Sequence, residues 1–134
     1  MDGNDGEYRI SSDKSLLSID WLCDFLPKSY WAIGRSKKQI ELSIENSICF
    51  GVYHNGNQVG FARMVTDMAT MYWLCDVFID EKYRGKGLGK KLIKYIVESD
   101  NFKGLFGILG TRDAHGLYEN FGFEREPETF MRRK

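Results

Sequence analysis

The chain has 134 residues, which is enough for one domain with one hydrophobic core. Apolar residues make up 43% of it and aromatic residues 14%, as is typical of globular proteins. Lysine plus arginine and aspartate plus glutamate number 19 each, so no overall charge attracts the chain to nucleic acid or to an anionic membrane surface. We therefore expect a single domain over residues 1–134 in which any anion site is local.

The beginning of the chain gives no sign of export. Residues 1–6 are polar and acidic, unlike a signal peptide. No stretch approaches 18 uninterrupted apolar residues, so no membrane-spanning helix is predicted. These features predict a cytoplasmic protein.

The three cysteines are widely spaced, and each lies in an apolar context. They are Cys23, Cys49 and Cys75. No Cys-x-x-Cys pair is present, so we interpret them as reduced core thiols and predict no metal site. A catalytic cysteine is the alternative, but neither of the two histidines has a recognisable partner in the sequence.

The N-terminal third of the chain is predicted to form one short strand and two helices. The strand covers residues 7–10, after a frayed start. Apolar residues recur at helical spacing over 16–26, and Pro27 closes this first helix. A second helix begins at Ser36, because Ser36 and Gln39 have the spacing of a capping box.

The middle of the chain is predicted to form three consecutive strands. Residues 48–54 and 58–66 flank Asn55-Gly56-Asn57, and Asn-Gly readily adopts the positive φ angles of a tight hairpin turn. Residues 72–79 are short, apolar and rich in aromatic and β-branched types, which favours a strand. Three strands joined by short turns must form an antiparallel meander.

A glycine-rich turn follows the third of these strands and leads into an amphipathic helix. Its three glycines let the chain bend sharply and let a ligand approach the backbone: Gly85, Gly87 and Gly89. The helix start presents unpaired amides and a positive dipole end, which suits phosphate. Three cations would add charge there: Arg84, Lys86 and Lys90. The spacing fits neither a Walker loop nor a dinucleotide fingerprint, and a plain turn with solvated lysines is the alternative.

The last part of the chain is predicted to alternate between strands and one helix. Residues 104–110 form a short strand, reached by a right-handed parallel crossover. Residues 111–120 form a helix whose apolar face includes Tyr118, so this side chain points toward the sheet. Residues 128–133 form a last strand. The predicted order is β-α-α-β-β-β-α-β-α-β, an α+β fold.

Two motifs resemble those of the GNAT family of N-acetyltransferases. Arg84-x-x-Gly87-x-Gly89 resembles the family's acetyl-CoA pyrophosphate motif, Arg/Gln-x-x-Gly-x-Gly/Ala. Residues 114–123 are similar to its Ala-x-x-Leu-Tyr-x-x-x-Gly-Phe segment, at a spacing typical of the family. The resemblance implies a GNAT-like fold, with a central mixed, mostly antiparallel sheet of splayed strands flanked by helices. It also implies an acetyl-CoA-dependent N-acetyltransferase that acts on a primary amine of a small molecule, by direct attack on the thioester.

The resemblance also implies where acetyl-CoA binds. Backbone groups of Val77, Phe78 and Ile79 would hold the pantetheine arm where the strands splay, and would polarise the thioester carbonyl. The implied contacts around the phosphate turn are Arg84, Gly85, Lys86, Gly87, Leu88, Gly89 and Lys90. Thr111 stands where the family often has asparagine, and a threonine there can still hydrogen-bond and cap the helix.

Three residues are candidates for proton transfer. The resemblance implies that Tyr118 protonates the coenzyme thiolate, whereas the pattern alone would make it a core tyrosine. Asp76 lies in the middle of a predicted strand, where aspartate is disfavoured, and is a candidate general base or amine-binding group. The alternative for Asp76 is a salt bridge with Arg63 or Arg35. Asp67 is the next candidate base, and a water chain would also serve.

In the family that the chain resembles, the first two helices and their connection cover the acceptor end of the cleft. We therefore expect Tyr30, Trp31 and Arg35 to contact the substrate, although the aromatic residues could equally cap the core. Arg63, on the predicted strand 58–66, is a further candidate for substrate contact. Arg35, Arg63 and Arg112 would suit an acceptor with a carboxylate, and would equally suit a surface.

A second function from a different class is a non-catalytic module of the same fold, which binds acetyl-CoA as a sensor or partner-binding domain. Retention of both the phosphate turn and Tyr118 favours the enzyme. A longer acyl-CoA donor is a weaker alternative, and a homodimer is left open.

Overall fold

The structure is a computed structural model that describes residues 2–5 and 7–133. Its elements in chain order are β1 (Asp2–Asp5), β2 (Tyr8–Ser11), α1 (Ile19–Phe25), α2 (Lys37–Glu45), β3 (Ile48–His54), β4 (Asn57–Thr66), β5 (Met71–Ile79), α3 (Leu88–Val97), β6 (Phe106–Leu109) and α4 (His115–Glu119). Short 3-10 helices cover Lys14–Leu16, Leu26–Lys28 and Glu81–Tyr83. None of the helices in the two described ranges is long and apolar enough to cross a membrane.

The six described strands form one sheet whose order follows the chain from β1 to β6. Neighbours pair antiparallel from β1 to β5, and β5 pairs with β6 in parallel through the crossover helix α3. The predicted α+β class and the mixed, mostly antiparallel sheet are confirmed. The frayed start is wrong for residues 2–5, because their backbone pairs with β2.

Several local predictions are confirmed by backbone geometry. Ser36 and Gln39 form a reciprocal capping box at the start of α2, each side chain accepting from the other residue's backbone N–H. Asn55 and Gly56 have φ angles of 50° and 84°, as the tight hairpin between β3 and β4 requires. Helix α1 begins later than predicted because the Ser18 side chain caps it.

The predicted last strand is wrong. Residues 127–129 form a turn and residues 130–133 form no strand. Pro127 has no N–H to donate to a sheet, which disfavours pairing at this point. The Phe130 ring packs instead on Trp73, with ring centroids 5.7 Å apart. The C-terminal segment therefore uses its apolar surface against the face of β5 and not along a sheet edge.

Two hydrophobic clusters lie on opposite faces of the sheet, because alternate strand residues point to opposite sides. One contains the buried stripe predicted for the helix after the turn: Leu88, Leu92, Ile93 and Ile96. The other joins α1 and α2 to the sheet through Leu22, Leu26, Ala32, Ile40, Ile44, Cys49 and Phe61. Helix α3 and the C-terminal helix thus cover one face, and α1 and α2 cover the other.

A bulge in β5 separates its two halves. The register with β4 shifts between Phe61 and Arg63, so β5 holds one residue more than β4 there. Asp76 adopts a φ angle of 52° at this point. Pairing between β5 and β6 ends at Leu74 and Leu109, so the following residues of β5 diverge from the segment after β6. The splayed strands implied by the resemblance are therefore present.

Candidate active site

A cleft of about 2000 Å³ lies where β5 and β6 separate. Its walls come from the α1–α2 connection, the second half of β5, the turn before α3, the segment between β6 and α4, and the C-terminal tail. All the predicted site residues except Lys86 and the alternative base Asp67 line this cleft. The Lys86 ammonium lies instead over the Tyr83 ring, 5.7 Å from its centroid.

The phosphate turn occupies one end of the cleft. Gly85 and Gly87 have φ angles of 81° and 77°, so the backbone conformation itself favours glycine at both positions. Gly87 is the N-cap of α3, and no side chain caps this helix start. The first amides of α3 therefore face the cleft without an intrahelical partner, beside the positive end of the helix dipole. This donor set fits a phosphate group.

Arg84 connects the turn to the end of β5. Its Nε atom donates a hydrogen bond to the Ile79 carbonyl oxygen at 3.0 Å, and its guanidinium lies 5.1 Å from the Phe78 ring centroid. Within the described chain its Nη atoms make no hydrogen bond. They are the donors that the predicted bidentate contact with phosphate requires.

Tyr118 lies in the cleft wall and is 8% exposed. Burial raises the pKa of its hydroxyl to about 12, and the nearby Tyr30 and Asp113 act in the same direction. The side chain is therefore protonated at neutral pH, as a general acid must be.

Thr111 lies just before α4, and its Oγ1 accepts a hydrogen bond from the Ala114 N–H at 3.0 Å. The expected hydrogen bond of Thr111 is therefore present, but Thr111 does not cap the helix, because the N-cap of α4 is Ala114 and no side chain caps it.

Asp76 is bound by two arginines at once. Its Oδ2 atom accepts from Arg35 Nη1 at 2.6 Å and from Arg63 Nε at 2.8 Å. Arg63 also donates from Nη1 to Ser47 Oγ at 3.0 Å. The other carboxylate oxygen, Oδ1, is buried and has no hydrogen-bond partner among the described residues. The salt-bridge alternative is thus confirmed for both arginines, and Oδ1 is the atom left for a further donor.

Asp67, the second candidate base, is not among the residues that line the cleft. Its carboxylate accepts from the Thr70 hydroxyl at 2.6 Å and from the backbone N–H groups of Ala69 and Thr70 at 2.9 and 2.8 Å. These hydrogen bonds, the hydroxyl first, hold the pKa of Asp67 far below its ordinary range. Asp67 therefore shapes the turn between β4 and β5.

The α1–α2 connection packs on the segment between β6 and α4. The Tyr30 hydroxyl accepts from the Arg112 backbone N–H at 2.9 Å, and the Arg112 guanidinium stacks 3.8 Å from the Tyr30 ring centroid. Trp31 meets the Tyr30 ring edge-on, with centroids 5.0 Å apart. Tyr30 and Trp31 are 36% and 37% exposed, so these aromatic side chains do not simply cap the core.

Some lining residues were not predicted as part of the site. Trp73 and Phe130 form an aromatic pair on the cleft wall, and Lys28 and Arg132 add charge. Phe130 and Arg132 were missed because the C-terminal segment was predicted to form a strand. Trp73 was missed because strand alternation predicts which face a residue occupies, but gives no indication that the β5–β6 gap lies nearby.

The cysteines show no sign of a reactive site. Within the described chain all three are free thiols. Burial raises the pKa values of Cys49 and Cys75 to about 11, so both are protonated at neutral pH. No group of three or more potential metal ligands occurs among residues 2–5 and 7–133.

A sheet that opens around a long cleft, with a phosphate-binding turn at one end and a protonated tyrosine in the wall, is suited to a long anionic ligand such as a coenzyme. A family model described as "Acetyltransferase (GNAT) domain" matches residues 45–125 of the chain. The chain therefore belongs to the GNAT acetyltransferase family, as the two sequence motifs predicted.

Individual relatives agree with this family. The chain is 34% identical over 87 residues to the spermine/spermidine N(1)-acetyltransferase of Bacillus subtilis strain 168, a match that covers 55% of this chain and 57% of that protein. It is 35% identical to a structure from Xanthomonas campestris pv. campestris assigned to the GNAT family, with a TM-score of 0.91 over 98% of this chain and 95% of that one.

A more distant structure shares the fold alone. It is a GNAT acetyltransferase from Elizabethkingia anophelis with acetyl-CoA bound, 18% identical, with a TM-score of 0.68 over 90% of this chain and 78% of that one. The chain spans 64% and 57% of the lengths of the first two curated relatives.

Proposed function

We propose that the protein is an acetyl-CoA-dependent N-acetyltransferase that acetylates a primary amine of a small molecule. The observation that carries the proposal is the continuity of one cleft, which joins the uncapped start of α3 to Tyr118 along the unpaired edge of β5. Family membership supports the same reaction class. The cytoplasmic location stays a prediction.

The coenzyme would be held by backbone groups. Amides of residues 86–90 would bind the pyrophosphate, with Arg84 closing over it. Residues 77–79, whose edge toward β6 is unpaired beyond Leu74, would hydrogen-bond the pantetheine and the thioester carbonyl. The developing negative charge on the carbonyl oxygen would then meet fixed donors that need no reorganisation.

The transfer step requires one nucleophile, one acid and one acceptor for the amine proton. The neutral amine attacks the carbonyl carbon, a C–N bond forms, and the C–S bond breaks. Tyr118 donates its proton to the departing sulfur, because burial keeps the tyrosine protonated. Asp76 would orient the amine through Oδ1, the carboxylate oxygen without a partner among the described residues. Asp76 itself or a water chain beside it would take the amine proton.

The test combines binding and turnover. Calorimetric titration with acetyl-CoA should give binding, and thiol release with a panel of amines should give turnover. We expect Tyr118→Phe to retain acetyl-CoA binding and to lose about 10²-fold or more in kcat, the usual contribution of a general acid. Tyr95→Phe is the matched control, because Tyr95 packs against Phe50 and does not line the cleft.

Two outcomes would contradict the proposal. Wild-type protein that fails to bind acetyl-CoA would refute the acetyltransferase function altogether. Binding without turnover of any amine, unaffected by Tyr118→Phe, would favour the non-catalytic module. Equal loss of kcat in Tyr118→Phe and Tyr95→Phe would show that Tyr118 is not the general acid.

A further inference from the structure

The cleft has an excess of positive charge outside its phosphate turn. Excluding residues 84–90, its lining contains six cationic side chains and four acidic ones. The cations are Lys28, Arg35, Arg63, Lys82, Arg112 and Arg132, and the acids are Asp76, Asp80, Glu81 and Asp113. The phosphate turn has its own cations and amides for the coenzyme, so this second group is available to the acceptor.

The centre of this charge is the cluster of Arg35, Arg63 and Asp76. One carboxylate faces two guanidinium groups, and the three side chains are 1%, 15% and 26% exposed for Asp76, Arg63 and Arg35. A net positive charge in such partly dry surroundings is unfavourable unless an anion compensates it. Arg35, the most exposed member, contacts Asp76 through Nη1 alone among the described residues. Its other donors are those that a ligand anion would reach.

Arg112 contributes another guanidinium to the lining of the same cleft. Its planar group lies 3.8 Å from the Tyr30 ring centroid, a distance that indicates stacking. Stacking uses the face of the guanidinium and leaves its N–H donors, which lie in the plane, directed away from the ring. These donors have the fork geometry that a carboxylate matches.

We propose that the acceptor is an amine that also carries a carboxylate, and that Arg35 and Arg112 bind this carboxylate. The inference rests on the proposed acetyltransferase function and adds the substrate class. The same cations lower the pKa of a bound amine, which favours the neutral nucleophile. They repel polycations, so the acceptor class differs from that in the name of the Bacillus subtilis relative.

The experiment compares acceptors that differ only in the carboxylate. The matched pairs are phenylalanine with phenethylamine, lysine with 1,5-diaminopentane, and 4-aminobutyrate with propylamine, and spermidine is the polycation. Thiol release gives kcat/KM for each. We expect the carboxylate-bearing member of at least one pair to exceed its partner by about tenfold to a hundredfold, the range of charge-assisted hydrogen bonds.

Variants test the assigned arginines. Arg35→Gln and Arg112→Gln should each reduce this preference at least several-fold, and Arg112→Gln should leave the Kd for acetyl-CoA unchanged. Arg35→Gln also removes one of the two partners of the Asp76 carboxylate. Arg112→Gln is therefore the independent second variant, because Arg112 is exposed. Arg125→Gln is the matched control, since Arg125 is an exposed arginine outside the cleft, 3.8 Å from Glu119.

The possible outcomes distinguish failure of this inference from failure of the proposed acetyltransferase function. Equal or better use of the decarboxylated partners, or preference for spermidine, overturns the inference and leaves the enzyme standing. The same holds if acetyl-CoA binds but no carboxylate-bearing acceptor is consumed or binds calorimetrically to the coenzyme complex. Failure of the wild type to bind acetyl-CoA overturns the proposed function and the inference with it.

Discussion

The phosphate turn can be tested with two glycine variants that have the same backbone cost. Gly87 and Gly56 have φ angles of 77° and 84°, and a Cβ added at either meets no atom within 4 Å. Each change to glutamate should therefore lower the free energy of unfolding by about 1–2 kcal/mol, the cost of a left-handed conformation for an L-residue. At Gly87 the new carboxylate also interacts favourably with the positive end of the α3 dipole, which offsets about 0.3–1 kcal/mol of this loss in stability.

The two variants should differ strongly in acetyl-CoA binding. The carboxylate introduced by Gly87→Glu would occupy the first amides of α3 and repel a pyrophosphate, whereas Gly56 lies in the β3–β4 hairpin and does not line the cleft. Loss of two charge-assisted hydrogen bonds corresponds to about 10²-fold to 10⁴-fold in affinity. Urea unfolding measures the shared cost, and calorimetric titration measures the binding. The reasoning is refuted if Gly87→Glu binds acetyl-CoA as tightly as Gly56→Glu.

Three further predictions follow from individual contacts. Because the pKa of Tyr118 is raised to about 12, kcat should rise with pH as the amine deprotonates, without a falling limb at the ordinary tyrosine pKa near 10; a limb near 10 that disappears in Tyr118→Phe would contradict the raised pKa. Asp76→Asn should lower the free energy of unfolding measured in urea by about 3 kcal/mol, because Arg35 keeps its charge without its partner. An unchanged free energy of unfolding would contradict the buried salt bridge. Tyr83→Phe removes the 3.1 Å contact between the Tyr83 hydroxyl and His54 beside the turn, and calorimetry should show acetyl-CoA binding weakened several-fold. Unchanged affinity would show that the turn does not need this contact.

The parts of the fold that were predicted correctly depend on short-range signals. The hairpin follows from Asn55-Gly56, and the start of α2 follows from the Ser36 capping box, because both signals act within four residues. The buried stripe of α3 follows from its period alone. The motifs added the splayed strands, which no periodicity could supply, whereas the apolar period of residues 111–120 already directed Tyr118 toward the sheet.

The parts that were missed depend on contacts between distant segments. Phe130 packs on Trp73, far away in the sequence, and this contact is found where a last strand was predicted. Arg112 stacks on Tyr30, which is 82 residues away in sequence. The choice between two partners for Asp76 also could not be made from sequence, since the bulge brings both arginines to one oxygen.

The bulge at Asp76 joins the two halves of the proposed reaction. One extra residue in β5 changes the course of the strand while residues 78 and 79 keep their register with β4. The strand therefore stays anchored on one side and opens on the other, where the coenzyme would lie. A positive φ is unfavourable for a residue with a side chain, so the bulge needs contacts that compensate it. The two guanidinium groups on Asp76 Oδ2 supply such contacts. The same carboxylate thus stabilises the opening for the donor and orders Arg35, which is one of the two arginines assigned to the acceptor.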